Sequence, residues 1–542
     1  MIDSAFRLML FVRDFTDRGA DSYYWFQHGQ LMGADASSIV GFEGVVVCHD
    51  FWMIRDALFD RTGTLPSTIV DVDEFRISIS GVPEDRLARE KLDVTTQLGQ
   101  YGAEQEVCDT YWKMFNKGAA FDVDIATKAA TAIEAMYLNL CAQASSDGEL
   151  ERFFTVEVPA YRVLQLSMSA GISIDVTRLS EKRSQAEHDY FLLLKTYSAK
   201  HDMPLETPSR RAMEAKLLLE GFELDDVSVE YLLEFVPHDR DFGGDTMALL
   251  DLDEARRVLG SLTLTTNVTR PVVDVFGSRT SRIQLRSPSL QNIPKRYRSI
   301  INARTGAELS YVDFDQFEVG IMAALSGDAE LKRLYAAGDM YDLFANTHLG
   351  LVGNRKAAKQ LFLSYAYGMS RQALIDAACS LGVERQKAKE AFRLFQQYED
   401  WKKSLWTEFQ STGRVATVFG NHYRRAGNGQ LTRKEQRAAV SQVVQGTASL
   451  IFKRALLAVA SISDVKVVLP MHDALLFEHT LAETPDKVVN AFEEVMTDVL
   501  NSLVTGKASI SDFVEREQNL PTLNKLNKHI IRLHSNASND IL

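Results

Sequence analysis

Four cysteines in 542 residues, Cys48, Cys108, Cys141 and Cys379, are scattered and form no C-x-x-C pair. Their scarcity excludes a cysteine-built zinc site or a disulfide framework and fits a reducing, cytosolic setting. Positive charge is also short: 60 Lys and Arg face 73 Asp and Glu, a net charge of −13. Such a chain does not coat nucleic acid indiscriminately. A local basic channel stays open to it, because net charge governs long-range fields rather than sites. No apolar run reaches transmembrane length. The start, "MIDSAFRLMLF", has an early acid and too short an apolar run for a signal peptide. Internal repeats and low-complexity tracts are missing too. What is present is the composition of a folded protein, 46% hydrophobic and 25% charged, at a length that calls for two or more domains.

To about residue 148 the chain alternates "RLMLFV", "SYYWFQ", "GVVVC" and "STIVDV", which read as strands, with "DFWMIRDALFD" and "DIATKAATAIEAMYLNLCAQA", whose apolar spacing is helical. This predicts an α/β unit, followed by a linker at "ASSDGEL". Residues 150–275 read as mostly helical and charged, with a capped helix at "TPSRRAMEAKLLLE". The basic, amide-rich tail after residue 520 reads as a peripheral helix or a frayed end.

Four stretches carry chemical character. In "VVLPMHDALLFEHT", His472 and Asp473 interrupt two apolar strand-like runs. A carboxylate there needs compensation. In "ELSYVDFDQFEVGIMAALSGD", a strand delivers Asp313, Asp315 and Glu318 ahead of an apolar helix. Carboxylates from two strand ends can hold two Mg²⁺ ions for phosphoryl transfer, and the cations would offset the desolvation of Asp473. In "NRKAAKQLFLSYAYGMS", Arg355, Lys359, Leu363 and Tyr367 recur every four residues, so two cations and an aromatic share one helical stripe that Gly368 ends. Such cations suit a triphosphate. Residues 278–304 hold seven Arg and Lys and not one Asp or Glu, with Gln284, Gln291 and Asn292 interleaved. That mixture suits phosphate and base contacts. A second basic stretch, "NHYRRAGNGQLTRKEQR", precedes an amphipathic helix bearing Gln442 and Gln445. Taken singly, each stretch reads equally as a solvated face or a loop acid.

Together, and in this order, they resemble a family A DNA polymerase of the bacterial DNA polymerase I type. "SYVDFDQFE" resembles the motif usually written DYSQIE; "RKAAKQLFLSYAYG" matches R-x3-K-x7-YG; "MHDA" resembles VHDE. "TSRIQLRSPSLQNIP" and "VVQGTA" resemble two further signatures, and the match spans about residues 155–500. The resemblance implies a multidomain α/β fold: a right-hand polymerase over 149–542, with thumb about 175–270, fingers about 328–435 and palm the remainder. It implies an N-terminal ribonuclease H-like 3′–5′ exonuclease-type domain over 1–148. It further implies primer extension with dNTPs on primer–template DNA by two Mg²⁺ ions, and a monomer with no membrane partner. Asp313, Asp473 and Lys359 would be catalytic, with Asp313, Asp473 and the Phe314 carbonyl on the metals. Arg355, Lys359, Leu363, Tyr367, Glu318, Gln316 and Tyr341 would bind nucleotide, Glu318 as the gate against a 2′-OH. Arg282, Gln291, Asn292, Arg437, Gln445 and His472 would contact DNA.

Several positions depart from the pattern. Ala474 replaces the glutamate of VHDE, with Glu478 as a candidate substitute; Leu363 stands where Phe or Tyr is usual, and Tyr341 where histidine is usual. The last two predict altered nucleotide selectivity. In the N-terminal part, Asp14 and Asp17 do not form D-x-E, Ile54 takes an expected carboxylate position, and Asp122 and Asp124 are out of register. This predicts an exonuclease fold without its catalysis. With no room for a 5′-nuclease, it suggests a phage-encoded enzyme acting in the host cytoplasm. A single-subunit RNA polymerase and a non-catalytic primer–template-binding protein remain alternatives.

Overall fold

A five-stranded sheet organises the first part of the chain. β1 (Phe6–Val12) pairs antiparallel with β2 (Ser22–Gln27), which pairs with β3 (Gln30–Ala34). On its other side β1 runs parallel to β4 (Val45–Cys48), and β4 parallel to β5 (Ile69–Asp71), giving the order β3-β2-β1-β4-β5. The structure is a computed structural model describing residues 6–16, 21–82, 84–85, 88–219, 240–264 and 266–515. The basic tail, Asp17 and part of the expected thumb lie outside the described residues.

Strand alternation sends Leu8 and Leu10 into one core and Met9 and Phe11 into another. Helices cover both faces, which is why β4 is buried at every position. α1 (Phe51–Thr62) supplies Phe51, Ile54 and Leu58 to the Met9 face. The strand expected through "STIVDV" stops at Asp71, whose carboxylate accepts the Asp73 N–H at 3.0 Å and so starts α2 (Val72–Ile79). α3 (Val123–Asp147) packs its alanines on the Leu8 face.

The expected linker is not a linker. α3 runs to Asp147, Gly148 caps it, and the chain turns directly into further helix. Glu149 is 1% exposed, paired to Arg152 and His422; Arg152 also binds Glu157 at 2.7 Å, and Glu157 binds Lys453 at 2.8 Å. Ser, Asp and Gly suggested a flexible tether, but here they end a helix and seat a buried ion network. α4 (Val158–Ala170) continues this join: Tyr161, Leu164 and Met168 belong to the same core as Met9 and the second sheet. α5 (Val176–His201) and α6 (Arg240–Ser261) form a separate apolar cluster of Tyr190, Leu194, Tyr197, Phe242 and Leu249.

The second sheet is antiparallel throughout: β6 (Glu308–Phe314), β7 (Lys466–Pro470), β8 (Ala474–His479) and β9 (Ala508–Ile510), in the order β7-β8-β6-β9. Its covered face meets α7 (Phe317–Ser326) and other helices. Phe314 stacks on Phe317 at 4.0 Å and reaches Phe492 at 4.6 Å. Beyond it lie α8 (Arg355–Ala366), α9 (Arg433–Ala460) and α10 (Thr484–Val499). α9 differs from the amphipathic helix expected, being buried on most sides from Ala439 to Val459. A Cβ at Gly446 would lie 2.8 Å from Thr417 Cγ2, so the neighbouring segment can approach only a glycine. Among the described residues α9 is the helix long and apolar enough to cross a membrane, yet 72% of its apolar window is buried in the protein. That is the condition of a core helix.

Candidate active site

Along β6, Val312 and Phe314 point into the core, at 0% and 4% exposure, so Asp313 faces the other way. In the ladder Asp313 stands opposite Ala474 on β8 and opposite Ser509 on β9. Asp473 is next door, in a tight turn closed by the Met471 N–H donating to the Ala474 carbonyl at 2.8 Å. The Phe314 N–H donates to the Asp473 carbonyl at 3.4 Å. The fold thus brings two carboxylates, 160 residues apart in sequence, to one end of one sheet.

Asp313 Oδ1 is buried with no hydrogen-bond partner. Burial first, then the charges of Asp473 and Asp315, push the Asp313 carboxyl up to about 7. A buried acceptor without a donor, beside a like charge, is an arrangement that a divalent cation relieves. The donor set is all oxygen, so the residues fit such an ion.

A second group faces the same region. Arg282 donates to Glu318 Oε1 at 2.6 Å, and the Tyr367 hydroxyl donates to Glu318 Oε2. Tyr367 is the C-cap of α8, and Gly368 ends the helix with φ +94°, a backbone that glycine adopts without strain. At the other end of α8, Arg355 is paired to Asp339 at 2.7 Å. Arg355 and Lys359 lie 5.4 and 5.7 Å from the Tyr341 ring, which is buried between them. Leu363 lies on the same stripe and packs, half-buried, against the core.

A groove of about 710 Å³ opens beside these residues, lined by Arg279, Arg282, Arg424, Lys434, Arg437, Gln445 and His472. Burial and the nearby Arg282 push the His472 imidazole below its usual value, favouring the neutral ring. In a chain of net −13, this is a local concentration of positive charge.

Comparison with known proteins follows the same residues. Residues 257–511 match the model of DNA polymerase family A. The likeness to that family falls on the second sheet and the helices around it. DNA polymerase I of Mycobacterium tuberculosis is 27% identical over 367 residues, covering 60% of this chain and 40% of that protein. DNA polymerase I of Pseudomonas aeruginosa is 31% identical over 227 residues, covering 37% and 24%. DNA polymerase theta of Caenorhabditis elegans is 27% identical over 250 residues, covering 42% and 16%. The chain thus spans two fifths or less of these relatives' lengths. Among solved structures, the POL domain of Pol1 from M. smegmatis, in complex with DNA primer-template and dNTP, superposes with a TM-score of 0.70. At 19% identity it covers 93% of this chain and 94% of that one, and it establishes the mostly helical α/β fold.

Within this region, several residues expected at the ligand have partners in the fold. Gln291 is 6% exposed. Its amide accepts the Leu285 N–H and donates to the Pro470 carbonyl at 2.7 Å, so it braces the sheet. Asn292 is exposed but donates to Glu254 on α6 at 2.9 Å. Gln316 donates to the Gly338 carbonyl and accepts the Met340 N–H at 2.7 Å, fixing the loop before Tyr341. Glu478 does not stand in for the missing glutamate. It pairs with Leu309, four residues along the ladder from Asp313, about 13 Å away at strand rise. There it accepts the Arg304 N–H. For Gln291, Gln316 and Glu478 a backbone group that needs a partner has taken the side chain.

Two features escaped the sequence reading. One is Asp339, which neutralises Arg355. The other lies at the C-terminal ends of β4 and β5, where ligand atoms of His49, Asp50 and Asp73 lie within 4.8 Å of one another. Asp71 joins them, and burial, with Glu74 and Asp50, pushes it up to about 7. These carboxylates already serve helix starts: Asp71 accepts from Phe51 and Tyr161, Asp73 from Asp50 and Val94. The acids expected for exonuclease chemistry are not among them. Asp122 caps α3, Asp124 pairs with Lys128 in solvent, Ile54 is core, and Asp14 turns back to Thr16.

Proposed function

We propose that this chain is a template-directed DNA polymerase that extends a primer with deoxynucleoside triphosphates. The observation that carries the reading is the Asp313–Asp473 pair at the sheet end, with a buried, unpartnered oxygen, within reach of the Lys359 charge and next to His472, which lines a cation-rich groove. Asp313, Asp473 and the Phe314 carbonyl would hold two divalent ions, Mg²⁺ in the cell. When bound, the ions neutralise charge on the attacking and leaving oxygens. Arg355 and Lys359, one helical turn apart, would draw the triphosphate alongside, Arg355 exchanging Asp339 for phosphate. Lys359 would supply the proton to pyrophosphate. Glu318, held rigid by Arg282 and Tyr367, forms a wall where a ribose 2′-OH would stand. Phosphoryl transfer asks for this kind of positioning and charge neutralisation more than for covalent help.

Arg282, Arg437, Gln445 and His472 would line the primer–template path. Residues 149–542 would form the polymerase, with thumb about 175–270 and fingers about 328–435. Residues 1–148 would be a ribonuclease H-like exonuclease-type domain without proofreading. The strand order β3-β2-β1-β4-β5 and the dispersal of Asp14, Asp122 and Asp124 support that part. The deciding experiment is primer extension with Mg²⁺ beside an Asp473→Ala control. Extension by the intact chain that vanishes in the control supports the proposal, and no extension by the intact chain sinks it.

A further inference from the structure

Position 474 is directly across from Asp313, and it is a fully buried alanine. The β8 side of the site therefore offers one carboxylate, Asp473, and no second. The β9 side differs. Asp315 lies two residues beyond Asp313, in the turn that follows β6. Its N–H continues the ladder by donating to the Lys507 carbonyl at 2.9 Å. Its Oδ1 accepts from the Ser509 hydroxyl at 2.9 Å. Ser509 is the residue paired with Asp313. Side chains directly opposite in such a ladder stand about 5 Å apart at Cβ. The hydroxyl thus draws the Asp315 carboxylate back toward Asp313, on the side away from Asp473. Only Oδ1 of Asp315 is used in this latch. On the Asp313 side, Oδ1 is buried and unpartnered.

We propose that Asp315, latched by Ser509, is the third carboxylate of the divalent-cation site, contributed from the β6 strand end in place of the residue missing at 474. The inference rests on the reading of Asp313 and Asp473 as cation ligands. The cation site is then flanked on both sides: Asp473 from the β8 turn and Asp315 over β9, with Asp313 between them. The charge of the site is kept while Ala474 packs into the core.

The test reads metal binding without turnover. Mn²⁺ is titrated by electron paramagnetic resonance into the full chain bound to primer–template and a non-hydrolysable dNTP. Asp313→Asn serves as the control for the parent reading, and each variant's thermal midpoint is recorded without metal. Asp315→Asn should weaken Mn²⁺ binding about tenfold. Ser509→Ala should weaken it less, and Asp315→Glu should largely restore it. The metal-free midpoints of the Asp315 and Ser509 variants should not fall below that of the parent. If Asp313→Asn abolishes binding while Asp315→Asn leaves it intact, this inference is overturned and the parent reading stands. If Asp313→Asn also leaves binding intact, the parent reading falls with it. A drop in the metal-free midpoint with Mn²⁺ affinity unchanged would make Asp315 a structural residue and overturn the inference as well.

Discussion

Asp313 and Ala474 face each other across β6 and β8, a carboxylate opposite a buried methyl group. The acidic neighbours of Asp313 are Asp473 in the turn before β8 and Asp315 in the turn just past the end of β6. The Asp313 environment is costly without a cation, which makes the pair measurable.

The Asp313 carboxyl sits at about 7 in the fold against 3.8 as its ordinary value. A raised carboxyl binds its proton more tightly folded than unfolded, so its contribution is present at low pH and lost as pH rises from about 4 to 7. Asp313→Asn should accordingly raise metal-free stability at pH 8 by about 2 kcal/mol and change little at pH 4. Thermal melts at the two pH values check this. Mg²⁺ should stabilise the parent chain and not the variant.

Extension should collapse in Asp473→Ala and Asp313→Asn alike, by about 10³-fold or more in kcat. Near-parental extension by either variant would remove both from the chemistry. Swapping dNTPs for NTPs in the same assay separates a DNA polymerase from an RNA polymerase, with Glu318→Ala expected to admit ribonucleotides.

Arg355 is occupied by Asp339, whose other oxygen caps the short helix at Met340–Leu343. Asp339→Asn keeps a capping oxygen but removes the charge. It should lower the KM for dNTPs several-fold, about 1 kcal/mol, with kcat little changed. A raised KM would show that the Asp339 carboxylate orients Arg355 instead of competing for it.

Leu363 lies on the α8 stripe of Lys359, whose ammonium sits over the Tyr341 ring. Leu363→Phe should shift the dideoxy-to-deoxy incorporation ratio by about threefold or more, as pocket changes of roughly 1 kcal/mol do. An unchanged ratio would mean that the sugar does not pack there.

Lys453 is fully buried against Glu157. Lys453→Met should cost about 3 kcal/mol by leaving one oxygen of that buried carboxylate without its partner, Arg152 holding the other. Chemical denaturation would read the loss. On a mismatched primer terminus, the parent chain and Asp122→Ala should be equally inert to trimming. Rapid trimming lost in the variant would restore the exonuclease reading.

Much of the site was legible in one dimension because its chemistry is local. Arg355, Lys359 and Tyr367 share a stripe by helical period alone, and Asp313 and Asp473 each end an apolar strand run. Strands β1, β2 and β4 and helices α1 and α3 were equally plain, since alternation or 3.6-residue periodicity is written into the chain. Three-dimensional packing decided the rest. Gln291, Gln316 and Glu478 look like polar site residues until backbone groups from distant segments claim them. Asp339 meets Arg355, and Ser509 meets Asp315, only through the fold. The Ser-Asp-Gly junction became a buried ion network because its partners lie up to about 300 residues away. Sequence by itself determined which residues could do chemistry; tertiary structure decided which remained free to do it, because buried hydrogen-bonding groups must be satisfied first.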